Sequence, residues 1–169
     1  MNDAHLHMVV NHFPIIGTFF GIGILITGIF FKNNSIKNTA YILFIVAAIF
    51  GAFSMGTGEG AEEMVEDFPN IGKAIIKEHE ELAEKFALVL YVTGVFALVS
   101  LVAAIKKFRL AKVFSFITIV VALIGGIMAI NVGTSGGEIR HTEIRENNAV
   151  SAPVNENPSA EKEYDKEDK

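Results

Sequence analysis

The sequence predicts an all-α integral membrane protein built as a bundle of four transmembrane helices. Of its 169 residues, 51% are hydrophobic, and the charged residues are strongly segregated from the apolar ones. Four stretches carry no formal charge: 4–31, 38–58, 86–105 and 113–137. Each is long enough to cross ~30 Å of hydrocarbon as a helix of about 20 residues. None shows the polar face that a helix of a soluble protein would present every turn.

The first apolar stretch is predicted to be a retained span and not a cleaved signal peptide. The residues before it contain no Lys or Arg, and the apolar run continues to Phe31, which is longer than the apolar core of a signal peptide. A proline is tolerated in the first turn of a helix, and Pro14 marks the start of this span. The four predicted spans cover about 13–31, 39–56, 86–105 and 113–133.

The connections between the spans are predicted from glycines and prolines. Three glycines in "SMGTGEGAEE" are expected to end the second helix near residue 56. Pro69 and the N-cap candidate Asn70 then introduce a long third helix over 71–105, which protrudes from the bilayer before it enters the span.

The chain after the fourth span is expected to leave the helix and then become disordered. Glycines at 133, 136 and 137 let it turn back over the membrane surface and deliver Arg140 and His141. The four-helix domain covers 1–146, and the polar, acidic, proline-containing residues 147–169 are predicted to form a disordered tail.

The charges of the loops predict the orientation in the membrane. The two short loops, 32–38 and 106–112, contain Lys and Arg but no acidic residue. All nineteen Asp and Glu residues fall on the opposite side. The excess of Lys and Arg in cytoplasmic loops places both short loops in the cytoplasm, so both termini face outward. We expect a multi-pass protein of the bacterial inner membrane.

All five histidines fall on the predicted outer side. His5, His7 and His12 precede the first span, His79 lies on the third helix, and His141 follows the fourth span. Imidazole is the commonest nitrogen ligand for haem iron, zinc and copper, and bundles often build such sites from facing helices. The alternative is that these amphipathic side chains simply lie among the lipid headgroups.

His79 carries the sharpest prediction. It shares the apolar stripe of its helix with Ile76, Leu82 and Phe86, whereas a solvated histidine would lie among the Glu and Lys residues. A buried imidazole without partners costs about 1–3 kcal/mol. We therefore expect its ring to point into the bundle, toward the segment from His7 to His12 and within ligand distance of a shared metal. The other ring nitrogen should bond a carboxylate or a backbone carbonyl.

Haem b is the cofactor that these residues favour, with copper or zinc as the alternative. A haem needs two axial imidazoles from different helices, a smooth helix surface and cations for its propionates. The smooth surface would come from Gly17 and Gly21, although small residues at this spacing also serve close helix packing. The predicted ligands are His7, His12, His79 and His141, with His5 in reserve, and the predicted cations are Arg140, Lys73 and Lys77.

Four short motifs, in this order and spacing, resemble a bacterial membrane family called domain of unknown function 2231. They are the histidine pair followed by "FP" (His7 to Pro14), "GTGEGAEE" after the second span, "HE" at 79–80 and "SGGEIRH" after the fourth span. The resemblance covers roughly residues 5–142. It implies a four-helix protein with an outward histidine cluster and a membrane redox role, as a b-type cytochrome. Met8 and Thr142 depart from the residues that this family often has there, namely Pro and Gly.

The function expected from the sequence is electron transfer in the membrane. Cysteine is absent, which excludes disulfides, thiolate metal sites and c-type haem attachment. No nucleophile–base constellation is present, so bond-making catalysis is not expected, and no nucleic-acid partner is predicted. The expected partners are the lipid bilayer, a quinol or a soluble periplasmic redox protein. A homo-oligomer or a subunit of a redox complex would fit, and a purely structural subunit remains the third interpretation.

Overall fold

The computed structural model describes residues 2–66, 71–141 and 144–145. Four helical segments are long and apolar enough to cross a membrane, with α1 and α2 counting together as the first. The predicted all-α architecture, with four helical segments long and apolar enough to span a membrane, is confirmed for this part of the chain. Its helices are α1 (Asp3–Val10), α2 (His12–Phe30), α3 (Asn34–Val65), α4 (Lys73–Ile105) and α5 (Ala111–Arg140).

The four long helices form a closed ring in which each packs against the next in sequence. Helix α5 also packs against α2, and the short α1 lies mainly against α3. We call the end with the connections 31–33 and 106–110 the loop end. The opposite end holds α1, the ends of α3 and α5 and the start of α4, and we call it the histidine end.

Both turns at the loop end are closed by the same backbone motif. In the first, Lys32 adopts a left-handed conformation (φ 51°), and the Asn33 N–H donates to the Gly28 carbonyl at 2.9 Å. In the second, Lys107 has φ 56°, and the Phe108 N–H donates to the Ala103 carbonyl at 2.8 Å. These bonds satisfy the last carbonyls of α2 and α4 in a Schellman arrangement, with lysine where glycine is usual.

Small residues set the distance between α2 and α3. A Cβ at Gly21 would lie 2.5 Å from Cε1 of Phe44, and a Cβ at Gly28 would lie 2.8 Å from the backbone nitrogen of Lys37. Both glycines are buried in the contact between the helices. The glycine stripe of the first span is therefore used for close helix packing, which is one of the two interpretations of its spacing.

Replacing Gly28 with alanine should destabilise the bundle, because the new methyl group meets backbone atoms that cannot rotate away. We expect a cost of about 1–3 kcal/mol in the free energy of unfolding. Gly23→Ala on the same helix is the matched control, since no heavy atom lies within 4 Å of a Cβ built there. Thermal unfolding in detergent, followed by circular dichroism, should give a lower melting temperature for Gly28→Ala alone. Equal melting temperatures would contradict this packing.

Hydroxyl groups connect the helices at the loop end. The Tyr41 hydroxyl of α3 bonds the Ser115 hydroxyl of α5, and the Ser100 hydroxyl of α4 bonds Thr118 of α5 at 2.9 Å. Ser115 and Thr118 each donate to the carbonyl four residues earlier. Every one of these buried hydroxyls thus has a partner, as the low-dielectric interior of a membrane bundle requires.

Two helices continue beyond their predicted ends. The second helix was expected to end near residue 56, but α3 runs to Val65; the fourth was expected to dissolve after 133, but α5 runs to Arg140. Glycine lowers helix propensity by only about 1 kcal/mol, which tertiary contacts can offset. Here Gly58 faces the His7 ring and Gly60 faces the Asp3 side chain, so these glycines admit α1 against α3.

The other boundaries differ from the predictions by small amounts. Residues before the first span form α1, which ends at Val10 because Pro14 has no N–H to donate to the Val10 carbonyl. The third long helix starts at Lys73 and not at 71, with Gly72 at its N-cap. Pro69, Asn70 and the tail 147–169 lie outside the described residues.

Candidate functional site

His7 is held at the histidine end by α3. It projects from α1, is partly buried, and its Nδ1 lies 3.1 Å from the Ser54 carbonyl oxygen and 3.2 Å from the Thr57 hydroxyl. A carbonyl can only accept, so Nδ1 carries the proton and donates it to Ser54. Thr57 donates its own hydroxyl proton to the backbone of α3 and can accept as well.

His79 enters the same end of the bundle from α4 and contacts α5. Its Nδ1 lies 2.9 Å from the Ser135 hydroxyl, which itself donates to the Val132 carbonyl at 3.1 Å. Because the Ser135 proton is used in that bond, Nδ1 of His79 is the donor to Ser135. The ring lies over Gly136, where a Cβ would come within 3.0 Å of its Cε1. It points into the bundle, as its place on the apolar stripe predicts, but its partner is a hydroxyl and not the expected carboxylate or carbonyl.

The two rings therefore share one tautomer. Each donates from Nδ1, and neither Nε2 has a hydrogen-bond partner within the described part of the chain. In a neutral imidazole with the proton on Nδ1, Nε2 carries a lone pair. Metal-ligating histidines typically have this arrangement, in which one nitrogen donates to the protein and the other binds the metal.

His7 and His79 lie close enough to interact electrostatically, and burial favours the neutral form of both rings. Burial lowers the pKa of His7, although the hydrogen bond to the Ser54 carbonyl opposes this effect. Burial also lowers the pKa of His79, and the positive charge of a protonated His7 lowers it further. Neutral imidazole is the form that binds metals.

These lowered pKa values predict that metal-free protein loses stability in acid. The unfolded chain, whose histidines have ordinary pKa values near 6.5, binds protons before the folded protein does as the pH falls. The stabilisation is therefore complete above about pH 6.5 and decreases below it. The melting temperature by circular dichroism should be lower at about pH 5 than at about pH 7.5.

The double variant His7→Asn/His79→Asn should show a smaller acid shift, because asparagine keeps a donor near the position of Nδ1 but does not titrate. His5→Asn/His141→Asn replaces two exposed histidines and is the matched control. An acid shift that is equal in both double variants would assign the effect to other groups.

The other predicted ligand from the N-terminal segment, His12, faces a different direction. It is exposed at the start of α2, and its Nδ1 lies 2.6 Å from the Met8 carbonyl of the preceding turn. It also lies at one end of a groove of about 240 Å³ between α2 and α3, which we call the α2–α3 groove. The groove is lined by His12, Phe13, Ile16, Gly17, Phe20, Leu43, Val46 and Ala47.

The remaining predicted site residues lie at or near the histidine end. His5 is exposed on α1, and Arg140 and His141 are exposed at the end of α5. Lys73 pairs with Glu66 at 3.0 Å, which joins the end of α3 to the start of α4. The loop predicted to deliver Arg140 and His141 is therefore the last turn of a helix and its cap.

The predicted cofactor surface on α2 is divided between two environments. Gly17 lines the α2–α3 groove, and a Cβ there would lie 3.0 Å from the Ala47 Cβ. Gly21 is covered by the Phe44 ring and leaves no room for a flat cofactor between α2 and α3.

The donor set at the histidine end is small. No group of three or more His, Cys, Asp or Glu within the described ranges could hold one metal ion. A protein zinc site usually uses three or four such ligands, whereas a bis-histidine haem needs two. His7 and His79 together supply two imidazoles, which matches the number of ligands in the second case.

Sequence reasoning missed the residues that orient the two rings. Ser54, Thr57 and Ser135 are common residues in membrane helices and carry no motif of their own. In the structure each lies within about one turn of a glycine that faces a histidine, Gly58 or Gly136, but the sequence does not reveal that contact. Comparisons of the chain with protein-family models, curated proteins and solved structures found no match.

Proposed function

We propose that this protein is a membrane electron-transfer protein that binds one haem b through His7 and His79. The observation that carries the proposal is the matched chemistry of these two side chains. They come from different helices, are close together, are kept neutral, and donate from Nδ1 while Nε2 remains a lone-pair donor to a metal. Two such nitrogens form the axial ligand set of a six-coordinate haem.

The residues around His7 and His79 hold the two imidazole rings in place. Ser54 and Ser135 fix the orientation and tautomer of the rings, which holds Nε2 in its basic, metal-binding form. Gly58 and Gly136 place no side chain against the two rings. A haem held by His7 and His79 would supply reversible one-electron transfer at its iron.

One haem is proposed because, within the described residues, His7 and His79 are the histidines that combine an Nδ1 bond to a neighbouring long helix with a pKa lowered by burial. His12 bonds the Met8 carbonyl of its own segment, and its ring borders the α2–α3 groove. His141 lies at the exposed end of α5. His12 and His141 are therefore not proposed as axial ligands.

The proposed location of the haem is the outer, periplasmic side of the bacterial inner membrane. This orientation follows from the basic loops 32–38 and 106–112, both at the loop end, and from the acidic residues at the histidine end. Electrons would then enter or leave at the outer surface, from a lipid-soluble or a soluble periplasmic donor.

Metal and porphyrin content of the purified protein test the proposal. We expect iron and haem b in equal amounts, close to one per chain, after expression with added haem precursor. Copper or zinc without porphyrin would instead support a non-haem metal-binding or metal-sensing protein that uses the same pair. Absence of any bound metal would leave the two histidines with a structural role and overturn the proposal.

A further inference from the structure

The short helix α1 is attached to the bundle differently from the four long helices. None of its eight residues is buried, whereas each long helix buries between five and nine residues. An isolated helix shorter than about 12–15 residues is only marginally stable in water. The conformation of α1 therefore depends on its contacts with α3.

The contacts between α1 and α3 are polar and close, but they bury no whole side chain of α1. Nδ1 of His7 lies 3.1 Å from the Ser54 carbonyl oxygen. One turn before His7, the Asp3 carboxylate lies beside Gly60, where a Cβ would come within 2.7 Å of its Oδ2. Segments with so little buried apolar surface open locally without unfolding of the whole protein. Helix α1 belongs to this class of segment.

A hinge for such opening lies between α1 and α2. Helix α1 ends at Val10 and α2 begins at His12, with Asn11 as the single residue between them. Pro14 has no N–H to donate to the Val10 carbonyl, so the helical bonding is interrupted at this point. Rotation at Asn11 would move α1 as one piece and carry His7 with it, while α2 stays packed in the bundle.

His7 is the side chain of α1 that meets the other half of the candidate site. In the closed position it lies close enough to His79 to interact with it electrostatically. We propose that α1 is a hinged arm, which opens from α3 at Asn11 to expose His79 and closes to bring His7 beside it. Control of access to the two histidines rests on the function proposed above, since they are the proposed haem ligands. The motion itself belongs to the chain and can be measured in protein without metal.

Hydrogen exchange of the metal-free protein, measured by mass spectrometry in detergent, tests the opening. The outer part of α4, residues 73–85, is the internal reference because it also lies before the predicted span. Amides of α1 should exchange about a hundredfold faster than those of residues 79–85, because α1 opens without the rest of the bundle. Equal protection of the two segments would overturn the proposal.

A disulfide can hold the arm closed, because the chain has no cysteine of its own. In Asp3→Cys/Gly60→Cys the two Cβ atoms would lie 3.0 Å apart, and a small outward shift of α1 gives the ~3.5–4.5 Å of a disulfide. Diethyl pyrocarbonate modifies neutral imidazole and therefore reports access to His79. Oxidation of this variant should slow the modification of His79 about tenfold relative to the reduced form. Modification of His12, which is exposed on α2, should not change.

Gly60→Val should have the opposite effect, because its branched side chain meets Asp3 and moves α1 away from α3. Exchange of the α1 amides and modification of His79 should both become about tenfold faster. Gly56→Val on the same helix is the matched control, since no heavy atom lies within 4 Å of a Cβ built there. Equal effects of the two valines, with circular dichroism showing folded protein, would overturn the proposal.

The arm and the haem proposal can fail separately. An equal rate of His79 modification in the oxidised and reduced double variant would show that α1 does not control access, and it would overturn the arm. Slower modification on oxidation, in a protein that binds no haem, would support the arm and refute the haem proposal alone.

Discussion

Replacing His79 with alanine should reduce the haem content of the purified protein by about tenfold or more, and His7→Ala should do the same. Each substitution removes one of the two nitrogens proposed to hold the haem, and even outer partners of metal ligands are worth about 10–100-fold in affinity. Any haem that remains should change from six-coordinate low-spin to a five-coordinate form, which the absorbance spectrum reports.

His5→Ala is the matched control for this result. His5 lies two residues from His7 on the same short helix, but it is exposed, and within the described residues its side chain makes no hydrogen bond. The His5→Ala variant should retain the full haem content. A loss of haem in His5→Ala as large as in His7→Ala would show that α1 is needed as a whole, and that His7 is not a specific ligand.

Gly136→Val should also cause a large loss of haem, although position 136 offers no ligand. Even a single Cβ there would lie 3.0 Å from Cε1 and 3.4 Å from Nδ1 of His79. The two further methyl groups of valine would meet the ring, displace it and disturb its bond to Ser135. Overpacking of this kind costs about 1–3 kcal/mol, which corresponds to about tenfold or more in affinity.

Gly133→Val on the same helix separates this effect from any general effect of a valine on α5. A Cβ at Gly133 has only Ile15 Cδ1 within 4 Å, at an ordinary 3.8 Å. This variant should keep haem content and melting temperature near those of the original protein. If both valine variants lose haem equally, the contact between Gly136 and His79 is not what positions the ring.

The four spans were predictable because the bilayer requires long uncharged helices. No helix cap or turn had to be identified to find them. The helix ends near Val65 and Arg140 were not predictable in the same way. The sequence does not distinguish a glycine that ends a helix from a glycine that lets another element pack closely against the helix, as Gly58 and Gly136 do. Only the packing of His7 and His79 against them distinguishes the two.

The candidate site was predictable in part, because the apolar stripe of a helix shows which of its side chains turn inward. The position of His79 on an apolar stripe indicates that its ring turns inward, and the contact with α5 agrees with this. Helical periodicity already puts His12 and His7 on different faces, because they are five residues apart. The bond of His12 to the Met8 carbonyl could not be read from the sequence. The hydroxyl of Ser135 was missed because a buried imidazole can be satisfied by many different acceptors.

The most direct test of the central claim is the reduced-minus-oxidised absorbance spectrum of the purified protein, compared with that of His79→Ala. Axial ligation by His7 and His79 predicts a low-spin b-type spectrum, with a sharp α band on reduction that the variant lacks. A protein with no haem spectrum after expression with ample haem, or one whose spectrum is unchanged in His79→Ala, would contradict the claim.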